Sequence, residues 1–102
     1  MGKHQDRESL TFSIVKTIVH VIVARHTNRP ESVHFLRSEV TEYRSQTEKS
    51  ADNYNWNMDD KKYIEEKALK MIKERLAVKY SDVSYSEQEL KSLLNEFIEE
   101  ML

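Results

Sequence analysis

The chain has 102 residues, of which 38% are hydrophobic and 33% charged, with a net charge of −2; this length suits a single domain, 1–102, with a modest core. The single glycine, Gly2, makes tight β-turns improbable and excludes Gly-rich phosphate loops. The absence of cysteine excludes disulfides, thiolate nucleophiles and sulfur-ligated zinc sites. We therefore expect an all-α protein, and a cytoplasmic location is the default for a chain that needs no disulfide.

The first predicted helix spans 8–26, after a polar segment, 1–7, that we expect to be flexible. Eight of the ten residues 14–23 are β-branched, which alone favours a strand. A helical period nevertheless sorts this stretch better, because it gathers the polar and small residues into one arc and leaves the rest of the circumference apolar. We call this arc the polar stripe and expect it to face water; it consists of Ser13, Lys16, Thr17, His20 and Ala24.

This first helix is too short and too polar to be a membrane span. The apolar run from Leu10 to Ala24 has 15 residues and includes Lys16 and His20, whereas a span needs about 20 predominantly apolar residues. Its broad apolar face must therefore be covered by protein. Either the rest of this chain covers it, or a second copy does in a helical dimer.

Three further helices follow in chain order. Pro30 precedes an apolar pattern that predicts a helix over 31–45. Residues 45–57 show no apolar periodicity, which predicts a long polar loop. Apolar stripes then predict helices over 58–81 and 86–101, the first capped by Asn57 and the second by a Ser86 capping box. The expected architecture is a four-helix bundle or an orthogonal helical domain.

The sequence offers no pattern for metal binding or catalysis. The four histidines include no H-E-x-x-H pair, and His20 and His26 are six residues apart, on different faces of one helix. Neighbouring carboxylates diverge on helices instead of converging in a pocket. We expect no metal, no cofactor and no catalytic residue. His20, in the polar stripe, is a candidate for proton transfer or pH sensing, although a hydrogen-bonded histidine at the rim of the core is the simpler and commoner explanation.

The candidate binding residues are arginines of the first two helices and aromatics of the polar loop. Five of the eight basic residues in 1–50 are arginine, against one of eight in 51–102, and arginine favours fixed, multidentate contacts. Trp, Tyr and Arg are also enriched at interaction hot spots. The candidates are Arg25, Arg29, Arg37, Arg44, Tyr54 and Trp56. For Trp56 we favour the alternative that it pins the loop to the bundle.

These observations predict a non-enzymatic helical module for protein–protein interaction that associates with itself, so the expected partner is a second copy or another protein. The alternative is a small regulator that contacts nucleic acid through the arginines of the first two helices. The acidic net charge and the glutamates of the second helix, Glu39 and Glu42, argue against that alternative.

Overall fold

The computed structural model of the protein describes residues 2–26, 30–52, 54–81 and 83–102. These residues form four α-helices and no strand: α1 Lys3–His26, α2 Pro30–Ala51, α3 Met58–Lys79 and α4 Glu87–Met101. The helices pack together as a bundle, which confirms the all-α prediction.

Helix α1 is the centre of the bundle, in contact with α2, α3 and α4, whereas no close backbone contact joins α2 to α3 in the described ranges. Seven of its aliphatic side chains are no more than 4% exposed: Leu10, Ile14, Val15, Ile18, Val19, Ile22 and Val23. They lie in one core with the stripes of α3 and α4. Packing thus overrides the poor helix propensity of the β-branched residues. The apolar face of α1 is covered by the other helices of its own chain.

The polar stripe of α1 lies against α2, so the prediction that it faces water is wrong. Ser13 Oγ and Thr47 Oγ1 of α2 share a hydrogen bond at 2.6 Å, and Thr47 is fully buried. His20 Nε2 lies 2.7 Å from Glu39 Oε2. The stripe can be buried because α2 presents hydroxyl and carboxylate groups that satisfy its polar atoms.

Helix α1 begins at Lys3 and not at the predicted residue 8, so most of the segment 1–7 is helical, and its flexibility stays a prediction. Two side chains of this segment contact the rest of the fold: Arg7 Nη1 donates to Asp60 Oδ1 of α3 at 3.2 Å, and Asp6 accepts a hydrogen bond from the Tyr54 hydroxyl. These contacts are polar, so the apolar periodicity of the sequence gives no sign of them.

The predicted loop 45–57 is also wrong over its first half, because α2 continues to Ala51. The last turns of α2 carry few apolar residues, yet Thr47 and Ala51 are buried against the bundle. A buried threonine that meets a polar stripe leaves no apolar period in the sequence. The remaining bounds agree with the predicted ones within two residues.

Local capping fixes where α3 and α4 begin. Asn57 Oδ1 accepts the Asp60 backbone N–H at 2.8 Å, and Asp60 Oδ2 accepts the Asn57 N–H at 3.4 Å, which completes a capping box. Ser86 Oγ accepts the Glu89 N–H at 3.0 Å, as predicted for the N-cap of α4. The Glu89 carboxylate reaches α1.

Candidate functional site

A groove between α1 and α2, with a volume of about 340 Å³, brings two of the predicted arginines together. We call it the arginine groove. It is lined by three residues of each helix: Val21, Ala24 and Arg25 of α1, and Arg37, Val40 and Thr41 of α2. In each set the second residue follows the first by three positions and the third follows by one, which places all three on one face of the helix. Each helix therefore contributes one row of side chains to the groove.

The groove combines an aliphatic floor with cationic edges. Val21, Ala24 and Val40 are partly buried, so their methyl groups remain open to a ligand. Arg25 and Arg37 are exposed beside them. An arginine offers planar, multidentate donation to a carboxylate or phosphate. The groove is therefore suited to a ligand that carries an anion next to an apolar group.

The two arginines differ in their existing contacts. Arg25 Nη1 lies 3.5 Å from Glu89 Oε2, and the other oxygen of that carboxylate lies 2.8 Å from His26 Nε2. The Arg25 side chain is 51% exposed, so this pair is solvated and contributes little to stability. Arg37 has no carboxylate partner among the side chains that the structure describes. Arg37 is thus the freer of the two to bind an external anion.

The other two predicted arginines do not join the groove. Arg44 forms an ion pair with Glu100 of α4, and its guanidinium lies 5.9 Å from the centre of the Phe97 ring. It therefore links α2 to α4. Arg29 lies outside the described residues.

The loop aromatics are used inside the molecule. Trp56 is only 7% exposed, and its Nε1–H donates to the Ala51 carbonyl at 2.9 Å, so it fastens the end of α2 to the core. This burial agrees with the pinning alternative and argues against a partner contact at Trp56. Tyr54 is partly buried, with its ring edge-on to Trp56 at 5.3 Å. Its hydrogen bond to Asp6, together with burial, raises the pKa of the Tyr54 phenol.

His20 lies between α1 and α2 and has partners on both ring nitrogens. Nδ1 lies 2.7 Å from the Lys16 carbonyl oxygen, and Nε2 lies 2.7 Å from Glu39 Oε2. The Tyr43 ring packs 5.2 Å away, and burial, followed by the charges of Glu39 and Glu42, raises the pKa of that phenol. The side chain of His20 is only 13% exposed. The arrangement fits the simpler of the two predictions, a hydrogen-bonded histidine at the rim of the core.

A second surface surrounds Met71 on the outer side of α3, where shallow depressions also include Phe12 and Val78. Its rim mixes cations and anions: Lys67, Lys70, Arg75 and Lys79 alternate with Glu8, Glu66 and Glu74. Arg75 also covers the Phe12 ring at 4.9 Å. A rim with both signs favours no particular partner charge, unlike the arginine groove.

Sequence reasoning missed the apolar part of the groove. Val21 and Val40 read as ordinary members of helical stripes, since they occur at the spacing of core residues. The one available signal was their position three or four residues from Arg25 and Arg37, which places each valine beside an arginine on its own helix. Only the packing of α1 against α2 brings the two valine–arginine pairs into one groove.

Other classes of site leave no trace in the described parts of the chain. No group of three histidine, aspartate or glutamate side chains there could hold a metal ion. No helix in the same ranges is long and apolar enough to cross a membrane. In comparisons with protein-family models, with curated protein sequences and with solved structures, no match to this chain was found.

Proposed function

We propose that the protein is a non-enzymatic helical interaction module that binds an acidic segment of a partner protein in the arginine groove. The observation that carries the proposal is the pair of exposed arginines, Arg25 and Arg37, on either side of an aliphatic floor. The segment that fits has a leucine-like side chain next to carboxylates: the apolar group would lie on Val21 and Val40, and the carboxylates would pair with the guanidinium groups.

Nucleic acid is the second candidate, and the charge around the arginines argues against it. A nucleic-acid backbone presents a phosphate at every step, so its binding proteins usually present clustered cations. Here Glu89 accompanies Arg25 and Glu100 accompanies Arg44. These carboxylates would repel a continuous row of phosphates, whereas a short acidic peptide needs only one or two cations. The aliphatic floor also suits a side chain better than a sugar–phosphate chain.

Fluorescence polarisation with short labelled peptides tests the proposal. The probe is a fluorescein-labelled peptide of sequence EELLEE, and the matched peptides QQLLQQ and EESSEE remove its charge and its apolar groups in turn. We expect saturable, salt-sensitive binding of EELLEE and weaker binding of both controls. A labelled single-stranded DNA of mixed sequence, measured in the same buffers, tests the second candidate.

Variants of the protein localise the binding. We expect Arg37→Ala to weaken EELLEE binding about fivefold or more, as is usual for an arginine at a hot spot. Lys62→Ala is the matched control, since it removes an exposed cation from α3, whose described residues make no close backbone contact with α2. Equal affinities of the two variants, or tighter binding of the DNA than of EELLEE, would contradict the proposal.

Self-association stays a prediction. The main reason to expect it, an uncovered apolar face on α1, no longer holds, because that face is covered within the chain. Sedimentation velocity at several concentrations tests it. A mass that rises with concentration would support a dimer, and a constant monomer mass would contradict one. A cytoplasmic location belongs to the same proposal, since a chain without cysteine has no disulfide to protect from a reducing environment.

A further inference from the structure

Helix α2 contributes far less apolar surface to the core than the other helices. Of the nineteen described hydrophobic residues that are buried in the core, α2 supplies two, Leu36 and Ala51, whereas α1 supplies seven and α3 and α4 four each. None of the described, partly buried hydrophobics that pack against this core belongs to α2. Since burial of apolar area is the main source of stability, α2 gains less stabilisation from apolar burial than the other three helices do.

Much of the interface that holds α2 on α1 is polar. Along it, the Ser13 and Thr47 hydroxyls bind each other and His20 pairs with Glu39. The Thr17 hydroxyl satisfies itself locally, by donating to the Ser13 carbonyl at 2.9 Å. Water can replace the contacts that cross this interface, so the net gain from each of them is small. If α2 leaves, the surface that it exposes on α1 includes the polar stripe, which water solvates readily.

The remaining contacts of α2 do not compensate for this weakness. Its link to α4 includes the ion pair between Arg44 and Glu100, whose side chains are 45% and 56% exposed, and such surface pairs contribute little. No close backbone contact joins α2 to α3 within the described ranges. At its C-terminal end, the Ala51 carbonyl is held by Trp56. That end is therefore the best anchored part of α2.

We propose that α2 is a displaceable helix, which swings away from a stable core of α1, α3 and α4 while that core remains folded. The motion is a local opening of the kind that separates a weakly packed element from the global unfolding unit. This opening is inferred independently of the proposed binding function. Binding would nevertheless affect it, because the arginine groove exists only while α2 is docked on α1, so a ligand in the groove would suppress the opening.

Hydrogen–deuterium exchange of the full-length protein tests this proposal. We expect the interior amides of α2, over 34–49, to be protected at least tenfold less than those of α3 over 62–76. We also expect their exchange to depend only weakly on low urea concentrations, because a local opening exposes little new surface. Equal protection of α2 and α3, with the same urea dependence, would overturn the proposal, since the two helices would then unfold together.

A disulfide staple separates displacement of α2 from fraying within it. The native chain has no cysteine, so Ser13→Cys with Thr47→Cys creates one bridge where the two hydroxyls lie 2.6 Å apart. Because Thr47 lies near the anchored end, we expect the oxidised staple to slow exchange at least tenfold in the turns of α2 next to Thr47, and reduction to reverse this. Unchanged exchange in the oxidised form would overturn displacement. Failure of the pair to oxidise would overturn the packing on which the proposal rests.

A second variant tests the same interface without a covalent bond. Ser13→Ala with Thr47→Val replaces the buried hydroxyl pair by apolar groups of similar shape, which is usually neutral or stabilising. We expect slower exchange of the α2 amides and no change in those of α3. Faster exchange in α2 would mean that the hydroxyl pair holds the helix firmly, contrary to the proposal.

Discussion

Ile14 is fully buried in the middle of α1, although its β-branched side chain favours strands over helices. The residue is helical because burial of its side chain outweighs its local propensity. Truncation therefore tests the packing of α1 directly. We expect Ile14→Ala to lower the free energy of unfolding by about 2–5 kcal/mol, measured by urea denaturation.

Val78→Ala is the matched control for that measurement. Val78 is 82% exposed on α3, so its truncation should change stability by no more than about 0.5 kcal/mol. Trp56, the single tryptophan, provides the fluorescence signal for both variants because it is buried in the fold. A cost for Ile14→Ala as small as that for Val78→Ala would mean that α1 is not the centre of the core.

Glu87 provides a pH-dependent test at the scale of one residue. Its carboxylate pairs with Lys73 of α3, and this contact holds the pKa of Glu87 below that of a free glutamate, with a smaller effect from Lys91. A lowered folded pKa stabilises the fold above the pKa of the unfolded chain. That stabilisation is lost as the pH falls through the lowered value. The α3–α4 contact should therefore weaken under acid conditions.

We expect Lys73→Gln to raise the pKa of Glu87 toward that of a free glutamate, since it removes the largest cause of the shift. Carbon-detected NMR titration of the side-chain carboxyl measures this. Lys70→Gln, at an exposed lysine on the same helix, is the control and should leave the pKa of Glu87 unchanged. The same pKa in wild type and Lys73→Gln would show that the ion pair is absent in solution.

At the scale of elements, the bounds of α3 follow from its N-cap. Asn57 accepts the Asp60 N–H, and Asp60 returns the contact. We expect Asn57→Ala to cost about 1 kcal/mol in urea denaturation, and Asn57→Gly only a few tenths of that value. The difference arises because glycine, which has no side chain, leaves the helix end open to water. Equal stability of wild type and Asn57→Ala would contradict the capping role.

The elements that could be predicted from the sequence are those whose buried face is apolar. The apolar residues of α3 and α4 recur every three or four positions, and a capping residue precedes each helix. The helical structure of both segments and the positions where they begin were therefore predictable. The end of α2 was not, because its buried residue Thr47 meets the hydroxyl of Ser13. Apolar periodicity cannot reveal a helix face that is buried against a polar stripe.

At the scale of the whole molecule, the sequence left one question open, whether the apolar face of α1 meets its own chain or a second copy. That choice depends on how the other helices pack, which periodicity does not encode. The candidate groove could not be predicted for the same reason. Arg25 and Arg37 could be selected by residue type, but the register of α1 against α2 brings them to one groove with Val21 and Val40. The burial of Trp56 likewise depends on packing.

Methyl NMR of the labelled protein during titration with EELLEE tests binding in the arginine groove most directly. We expect saturable shifts of the methyl signals of Val21, Ala24 and Val40, with little change at Met71 on the outer surface of α3. The same titration of Arg37→Ala should need a several-fold higher peptide concentration to saturate. Shifts centred on Met71, or no saturable shift at the groove, would contradict binding of an acidic partner between α1 and α2.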